Sequence, residues 1–378
     1  MSSILTPSLK ACIISSVQLE ISPEIGGLLI RGGNATSPEF KMPEQRRAVM
    51  NHISFGIANF EPDAVLARVP QVDGVILGPV SHYDYPPPER GGINPSGRLR
   101  TQFALGANIR PCRTRACLSP LGRSIDVVIV REATEGFYAD RNMHAGIPEF
   151  MTDADTALSV RKITSAACRR VALAAFEIAR GRRRKVTAVH KANVLKMTDG
   201  LFLREVSAVA ADFPDVTLDE VIVDAAAALL IRDPARFDVI VTTNMFGDIL
   251  SDEASELAGG LGLGGSLNIG DGICVAQAQH GSAPDIAGRG IANPTSLIVS
   301  AAMLLDWRGR RDERTALCEA AAGIERAVDR ALADPGARTP DVGGSGTTSG
   351  FAAALIAALR SEEHTSELQS RFGISYAV

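Results

Sequence analysis

The 378-residue chain has no CxxC pair, no long apolar run, no excess of basic charge and no glycine fingerprint of a Rossmann nucleotide site. Each absence closes off a class of function. Six scattered cysteines (Cys12, Cys112, Cys117, Cys168, Cys274 and Cys318) argue against a disulfide framework or a zinc site. No apolar stretch approaches the roughly 18 residues that span a bilayer. A formal net charge of -4 offers nothing to nucleic acid or to an anionic membrane surface. The opening segment, MSSILTPSLKACIISS, carries one Lys without the layered layout of a signal peptide. A reducing cytoplasm is therefore the expected setting. Without G-x-G-x-x-G between a first strand and a first helix, a Rossmann fold lacks its phosphate turn.

What is present reads as a globular α/β protein. Apolar residues at 46% and charged residues at 22% leave enough side-chain volume for a large core. From about Val72 onward, short Val/Ile-rich runs alternate with amphipathic segments, which predicts a largely parallel sheet. VDGVILG, SIDVVIV, KVTAVHK and FDVIVTT read as strands. Apolar spacing of three to four predicts helices over 155–179, 218–231, 246–257, 294–307 and 311–332, with Gly181 placed to cap the first. The glycine-rich stretch GGLGLGGSLNIGDG (259–272) reads as a loop or crossover. Residues 1–60 show the weakest periodicity. At the far end, RSEEHTSELQS follows abruptly on the helical FAAALIAAL. It resembles the translation of a sequencing adapter, so 360–378 is set aside as an artefact tail.

Five segments carry candidate chemistry. In NMFGDILSD, Asp248 and Asp252 stand four apart in a predicted helix, so both carboxylates project from one face. An oxygen-rich pair suits Mg²⁺ or Mn²⁺, although on spacing alone a solvated acidic face is the commoner outcome. His190-Lys191-Ala-Asn193 follows the strand KVTAV, at the strand end where open α/β sheets place ligands. A Lys there can act as a base or hold a carboxylate, while a surface Lys is the ordinary alternative. Arg100, Arg110 and Arg131 near strand ends point to a substrate with several carboxylates, since guanidinium forks match them, while ordinary surface arginines are the alternative in a chain with 39 Lys plus Arg. The segment HGSAPDIAGRGIANP, from His280, offers a loop able to pack on an adenine and present a carboxylate to a ribose.

Taken in order, the segment from Leu99-Arg100 to NIRP, REATEGFY, HKANVL, NMFGDILSDEASELAGGLG and HGSAPDIAGRGIANP resemble the isocitrate/isopropylmalate dehydrogenase family of β-decarboxylating dehydrogenases. The resemblance covers roughly three quarters of the chain, from about Val72 to Leu359, and five ordered motifs are far more specific than any one alone. It implies a two-domain α/β/α fold that is not a Rossmann fold. The first, cofactor-side domain would comprise 1–105 plus 259–359. An inserted second domain, 106–258, would carry the contacts of a homodimer.

The resemblance also implies roles. Arg100, Arg110 and Arg131 match the arginines that hold the substrate, and Asn94, Ser96 and Asn193 fall beside them. Asp224, Asp248 and Asp252 match the metal ligands. Lys191, with an aspartate, matches the group that takes the hydroxyl proton, and Tyr138 matches the tyrosine that protonates the enol. Family architecture places Lys191 and Asp224 in the neighbouring subunit's site. His280, Gly281, Ser282, Ala283, Pro284, Asp285 and Asn293 match the cofactor loop. Asp285 stands where NAD-using members carry an acid for the ribose diol, followed here by Ile286, whereas NADP-using members carry Lys and Tyr. NAD is the expected cofactor. The segment before Arg100 reads the substituent on C3 of the malate core. Its Asn94 and Ser96, with Glu135 in REATEG, point to a small or polar group rather than isopropyl.

One family feature is missing. A GDGIGPE-like turn normally follows the first strand, and this chain has SSVQLEISPEIGGLL there. That departure sustains a second expectation, a non-catalytic or regulatory homologue that binds ligand without turnover.

Overall fold

The computed structural model describes residues 11–14, 17–22, 27–32, 66–67, 69–79, 94–118, 123–138 and 148–372. Residues 23–26, within the segment that departs from the family pattern, lie outside the described residues, as do 92–93. The chain divides into two compact units: Met1–Pro79 with Ala116–Leu118 and Val275–Val378, and Val80–Arg115 with Ser119–Cys274.

In chain order the strands are β1 (Ala11–Ile14), β2 (Val17–Ser22), β3 (Gly27–Gly32), β4 (Gly74–Leu77), β5 (Ala107–Arg113), β6 (Asp126–Glu132), β7 (Glu149–Asp153), β8 (Thr156–Ser159), β9 (Lys185–His190), β10 (Thr217–Ile222), β11 (Val239–Thr242), β12 (Leu267–Ile269) and β13 (Cys274–Gln277). The helices are α1 (Pro95–Gln102), α2 (Ser165–Arg180), α3 (Thr198–Ala210), α4 (Val223–Arg232), α5 (Asn244–Ala258), α6 (Thr295–Arg311), α7 (Thr315–Ala333) and α8 (Thr348–Phe372). This is the α/β architecture expected from the alternation of the sequence.

In the first unit β4 pairs in parallel with β1 and with β13, and β2 and β3 form an antiparallel hairpin. Arg308 of α6 reaches Asp73 at 3.1 Å, beside the start of β4.

The second unit holds the strand order β12-β5-β6-β11-β9-β10. Pairing is parallel from β6 through β11 and β9 to β10 and antiparallel on either side of β5. Strand alternation splits its core between two faces. Val128 and Val130 pack with Val186, Val239 and Val241 against Phe176 of α2 and Phe202 of α3. Val127 and Ile129 pack with Val189 and Ile240 against Leu230 of α4 and Leu250 of α5. Burial on both faces explains why these strands read as continuous apolar runs.

Three expected elements need correction. The helix predicted over 155–179 begins only at Ser165, where Thr164 caps it by accepting from the Ala167 amide at 3.3 Å. Residues Thr156–Ser159 instead pair with Glu149–Asp153 in an exposed hairpin. The helix predicted over 218–231 is a strand as far as Ile222, and its helical part is Val223–Arg232. The glycine-rich 259–272 stretch contains β12 rather than loop alone. Its polar Asn268 sits in that short strand, between the buried Leu267 and the half-buried Ile269.

Candidate active site

The candidate site is built at one end of the second unit's sheet. Arg110 lies on β5 and Arg131 near the end of β6, each almost fully buried. Opposite them, α5 begins at Asn244 and presents Asp248 and Asp252 one turn apart. Helix and strand approach closely because position 247 is Gly. A Cβ there would come within 2.7 Å of both Cβ and Cγ of Arg131.

Polar bonds fix both guanidinium groups. Arg110 Nε donates to Asn108 Oδ1 at 2.7 Å, and its Nη1 donates to Ser251 Oγ at 2.7 Å. The same Nη1 lies 3.1 Å from Asp248 Oδ1 and 3.3 Å from Asp252 Oδ1. Arg131 Nε donates to Asn244 Oδ1 at 2.9 Å, and its Nη1 makes a close ion pair with Asp248. Asn244 uses its other end too, donating to the Glu135 carbonyl at 2.6 Å. Tyr138 donates its phenol hydrogen to the second oxygen of Asp248, and the Arg131 guanidinium carbon lies 5.2 Å from the centre of its ring.

These contacts set the charge states. Burial pushes the Asp248 carboxyl upward, but Arg131, Arg110 and the Tyr138 hydroxyl outweigh it and hold the carboxyl below its usual range. Burial, and then the neighbouring Arg131 cation, lower the Arg110 guanidinium. Asp248 is thus a carboxylate at neutral pH, facing two cations and a phenol.

A second pair lies past the end of β9. Lys191 Nζ donates to Asp224 Oδ1 at 2.5 Å, and that bond lowers the Asp224 carboxyl. Asp224 is 67% exposed, in the first turn of α4. Two side chains hold the turn that carries Lys191. Asp199 Oδ2 accepts the Lys191 amide at 2.6 Å, and His190 Nδ1 accepts the Ala192 amide at 3.0 Å.

A family model described as isocitrate/isopropylmalate dehydrogenase matches residues 44–355. The chain belongs to this family. Over 265 residues it is 49% identical to an isocitrate/homoisocitrate dehydrogenase of Thermus thermophilus, covering 70% of this chain and 74% of that protein. It is 44% identical over 256 residues to a 3-isopropylmalate dehydrogenase of Archaeoglobus fulgidus, covering 68% and 74%. Among solved structures, isocitrate dehydrogenase from Methylococcus capsulatus superposes with a TM-score of 0.74 at 35% identity, covering 93% of this chain and 99% of that one.

Of the residues singled out from the family motifs, Arg110, Arg131, Tyr138, Asp248 and Asp252 come together in one cluster. Arg100 adds its charge to Asp248 from α1. It lies on a helix, and Arg110 in the body of a strand, rather than at strand ends as expected. Asn94 caps α1, accepting the Gly97 amide at 3.1 Å, and Ser96 is buried in that helix. Asn193 is exposed in the turn after Lys191. Asp224 stands with Lys191, and among the described residues no group of three His, Cys, Asp or Glu side chains gathers around one metal position.

The cofactor-loop residues lie in the first unit. Ala283 adopts a left-handed conformation (φ 45°) that turns the chain into a short 3₁₀ segment, Pro284–Ile286, on which Asp285 is exposed. His280 Nδ1 lies 2.9 Å from the Gly281 carbonyl, and Gly281 and Ser282 are exposed. Asn293 is buried, accepting the Thr295 amide at 3.0 Å and donating to Asp341 at 2.9 Å. Sequence reasoning passed over Arg161, Asp199 and Ser251. For Ser251 a signal was present, one residue before Asp252 on the same helix.

Proposed function

We propose that the protein is an NAD-dependent, divalent-metal-assisted dehydrogenase that oxidises a 3-substituted malate-type 2-hydroxy acid and releases carbon dioxide. The reading rests on the Arg110–Arg131–Asp248–Tyr138 cluster. Two buried guanidinium groups there face a carboxylate that a substrate carboxylate can replace as their partner. Asp248 and Asp252, one turn apart and both part-exposed, suit a hard cation, and Asp224 of a second copy completes an oxygen-rich set. A divalent ion there supplies Lewis-acid charge neutralisation, and NAD supplies the two-electron acceptor.

The chain's own residues do the rest. Arg100, Arg110 and Arg131 bind the substrate carboxylates and fix their orientation. Lys191, held on Asp224, passes a proton to that carboxylate as it takes up the proton of the substrate hydroxyl. When carbon dioxide leaves, Tyr138 is placed to deliver a phenol proton to the new C–H position. Asp285, exposed on its turn, accepts from the two ribose hydroxyls of NAD and repels the extra phosphate of NADP. The compact units suit a cofactor-side domain and an inserted domain, with His280 to Asn293 on the former. The substituent pocket, with Asn94 and Ser96, favours a small or polar C3 group. The shared site implies a homodimer. The exposed Phe150, Met151 and Leu158 of the β7–β8 hairpin support one, because an isolated hairpin needs packing to be stable. No described helix is long and apolar enough to cross a membrane, and the five described cysteines are free thiols. A cytoplasmic setting accords with both.

The test is NADH formation by the full chain with Mn²⁺ and NAD against isocitrate, tartrate, malate and 3-isopropylmalate. Turnover led by one of the first three supports the whole reading. Selectivity for 3-isopropylmalate overturns the pocket assignment alone. A folded protein inert on all four favours a homologue that binds without turnover.

A further inference from the structure

Beneath the Lys191 turn lies a charged pair that the proposed chemistry does not use. Asp199 has a fully buried side chain. Its Oδ1 is 2.5 Å from Nη1 of Arg161, whose own side chain is almost wholly buried. Arg161 Nη1 also donates to Thr198 Oγ1 at 2.7 Å, and Nη2 donates to Thr243 Oγ1 at 2.9 Å. The guanidinium carbon lies 5.6 Å from the centre of the Phe137 ring and 5.5 Å from that of Phe246.

Burying two opposite charges costs more than apolar packing of the same volume unless each is fully bonded, and here the arrangement is specific. Apart from Thr198, beside Asp199 at the start of α3, each attachment leads to a segment that bears a reactive group. Asp199 takes the amide of Lys191 itself. Lys191 is the first residue past the register in which His190 pairs with Ile222. Thr243 is the N-cap residue of α5, and its hydroxyl serves Arg161 rather than the helix end. Phe246 lies two residues before Asp248, and Phe137 immediately precedes Tyr138.

We infer that Arg161 and Asp199 are positioning residues for the dehydrogenase reaction. They hold the Lys191 backbone so that its ammonium stays on Asp224, and they fix that turn to the segments carrying Tyr138 and Asp248. The inference deepens the proposed function and rests on it for its kinetic consequences. Its geometric content, the Asp199 bond to the Lys191 amide, stands without them.

The test compares Asp199→Asn and Arg161→Lys in the full chain with Mn²⁺, NAD and the preferred hydroxy acid. Amide hydrogen exchange at Lys191 is measured alongside. Asparagine keeps one acceptor for two donors, while lysine keeps the ion pair but gives up the fork to the two threonines. We expect Asp199→Asn to lower kcat by about 30-fold with KM changed by less than about 3-fold, and Arg161→Lys to lower kcat by about 5-fold. Neither loss should recur in a Lys191→Ala background, whereas a general structural defect multiplies there. Lys191 amide protection should fall in Asp199→Asn. Should that variant not fold, Arg161→Lys decides. Undiminished kcat in folded variants, a loss that multiplies with Lys191→Ala, or unchanged Lys191 amide protection would overturn the inference. If the wild type turns over no hydroxy acid, the functional reading fails, and amide exchange alone still decides whether Asp199 holds the turn.

Discussion

Gly247 passes so close to Arg131 that a methyl group on it would sit 2.7 Å from the Arg131 side chain, and 3.2 Å from its Cα. Neither neighbour yields easily, because strand β6 is buried on both faces and Asn244 and Asp248 hold the guanidinium. Gly247→Ala must therefore push α5 away from β6 or turn Arg131 out of place. Overpacking of this kind costs about 1–3 kcal/mol. We expect a lower Tm together with a KM for the hydroxy acid raised by about 10-fold or more, since every 1.4 kcal/mol is tenfold. A variant with wild-type Tm and KM would show that the two elements slide apart without cost.

Asp248 is held below the usual carboxylate range, so the native state favours its ionised form. The sign follows directly. That stabilisation is present above the unfolded carboxyl's range, near 3.8, and is lost as pH falls through the depressed native value. Asp248→Asn removes the carboxylate that Arg110 and Arg131 share and leaves Arg110 with Asp252. At neutral pH it should cost roughly 1 kcal/mol, discounted because the carboxylate is partly solvated. The gap in Tm between the variant and the wild type should close as the solution is acidified below the ordinary carboxyl range. A gap that stays constant with pH would assign the loss to packing rather than charge.

Much of this architecture is legible in the sequence for a physical reason. Strands β6, β9 and β11 are buried on both faces, so β6 and β11 carry unbroken Val and Ile runs and β9 a small-to-apolar run interrupted only by Thr187. The Asp248–Asp252 spacing survives because one helical turn maps directly onto sequence. The β7–β8 hairpin was illegible because both its faces are exposed within the chain, which leaves no apolar periodicity to read. Strand β10 was hidden because its apolar residues run straight into those of α4. Arg161 and Asp199 could not be paired from sequence. They stand 38 residues apart, and nothing in the type of either residue marks a buried partner. The role of Asn94 as a helix cap shows how a residue chosen for its polarity can be committed first to the backbone.

Asp285 tests cofactor choice apart from catalysis. A carboxylate accepting two ribose hydroxyls contributes about 1.5–3 kcal/mol. Asp285→Lys should raise KM for NAD by about 10-fold to 100-fold and lower that for NADP, with little change in KM for the hydroxy acid. Paired steady-state titrations of both dinucleotides check it. An unchanged NAD preference would mean that this exposed loop residue does not meet the ribose.

The separation of Asp224 and Lys191 from the Asp248 cluster makes the sharpest prediction. If each site draws Tyr138, Asp248 and Asp252 from one chain and Lys191 and Asp224 from another, two different defects need not fall in the same site. Tyr138→Phe and Lys191→Ala should each be nearly inactive alone. Unfolded together and refolded as a mixture, they form hybrid dimers in which one site carries both lesions and the other carries neither. Half the dimers of a random mixture are hybrids and half their sites are intact, so about a quarter of the wild-type rate should return. Tyr138→Phe mixed with Asp248→Asn should recover nothing, because both groups come from the same chain. Recovery in neither mixture would place Lys191 in its own chain's site.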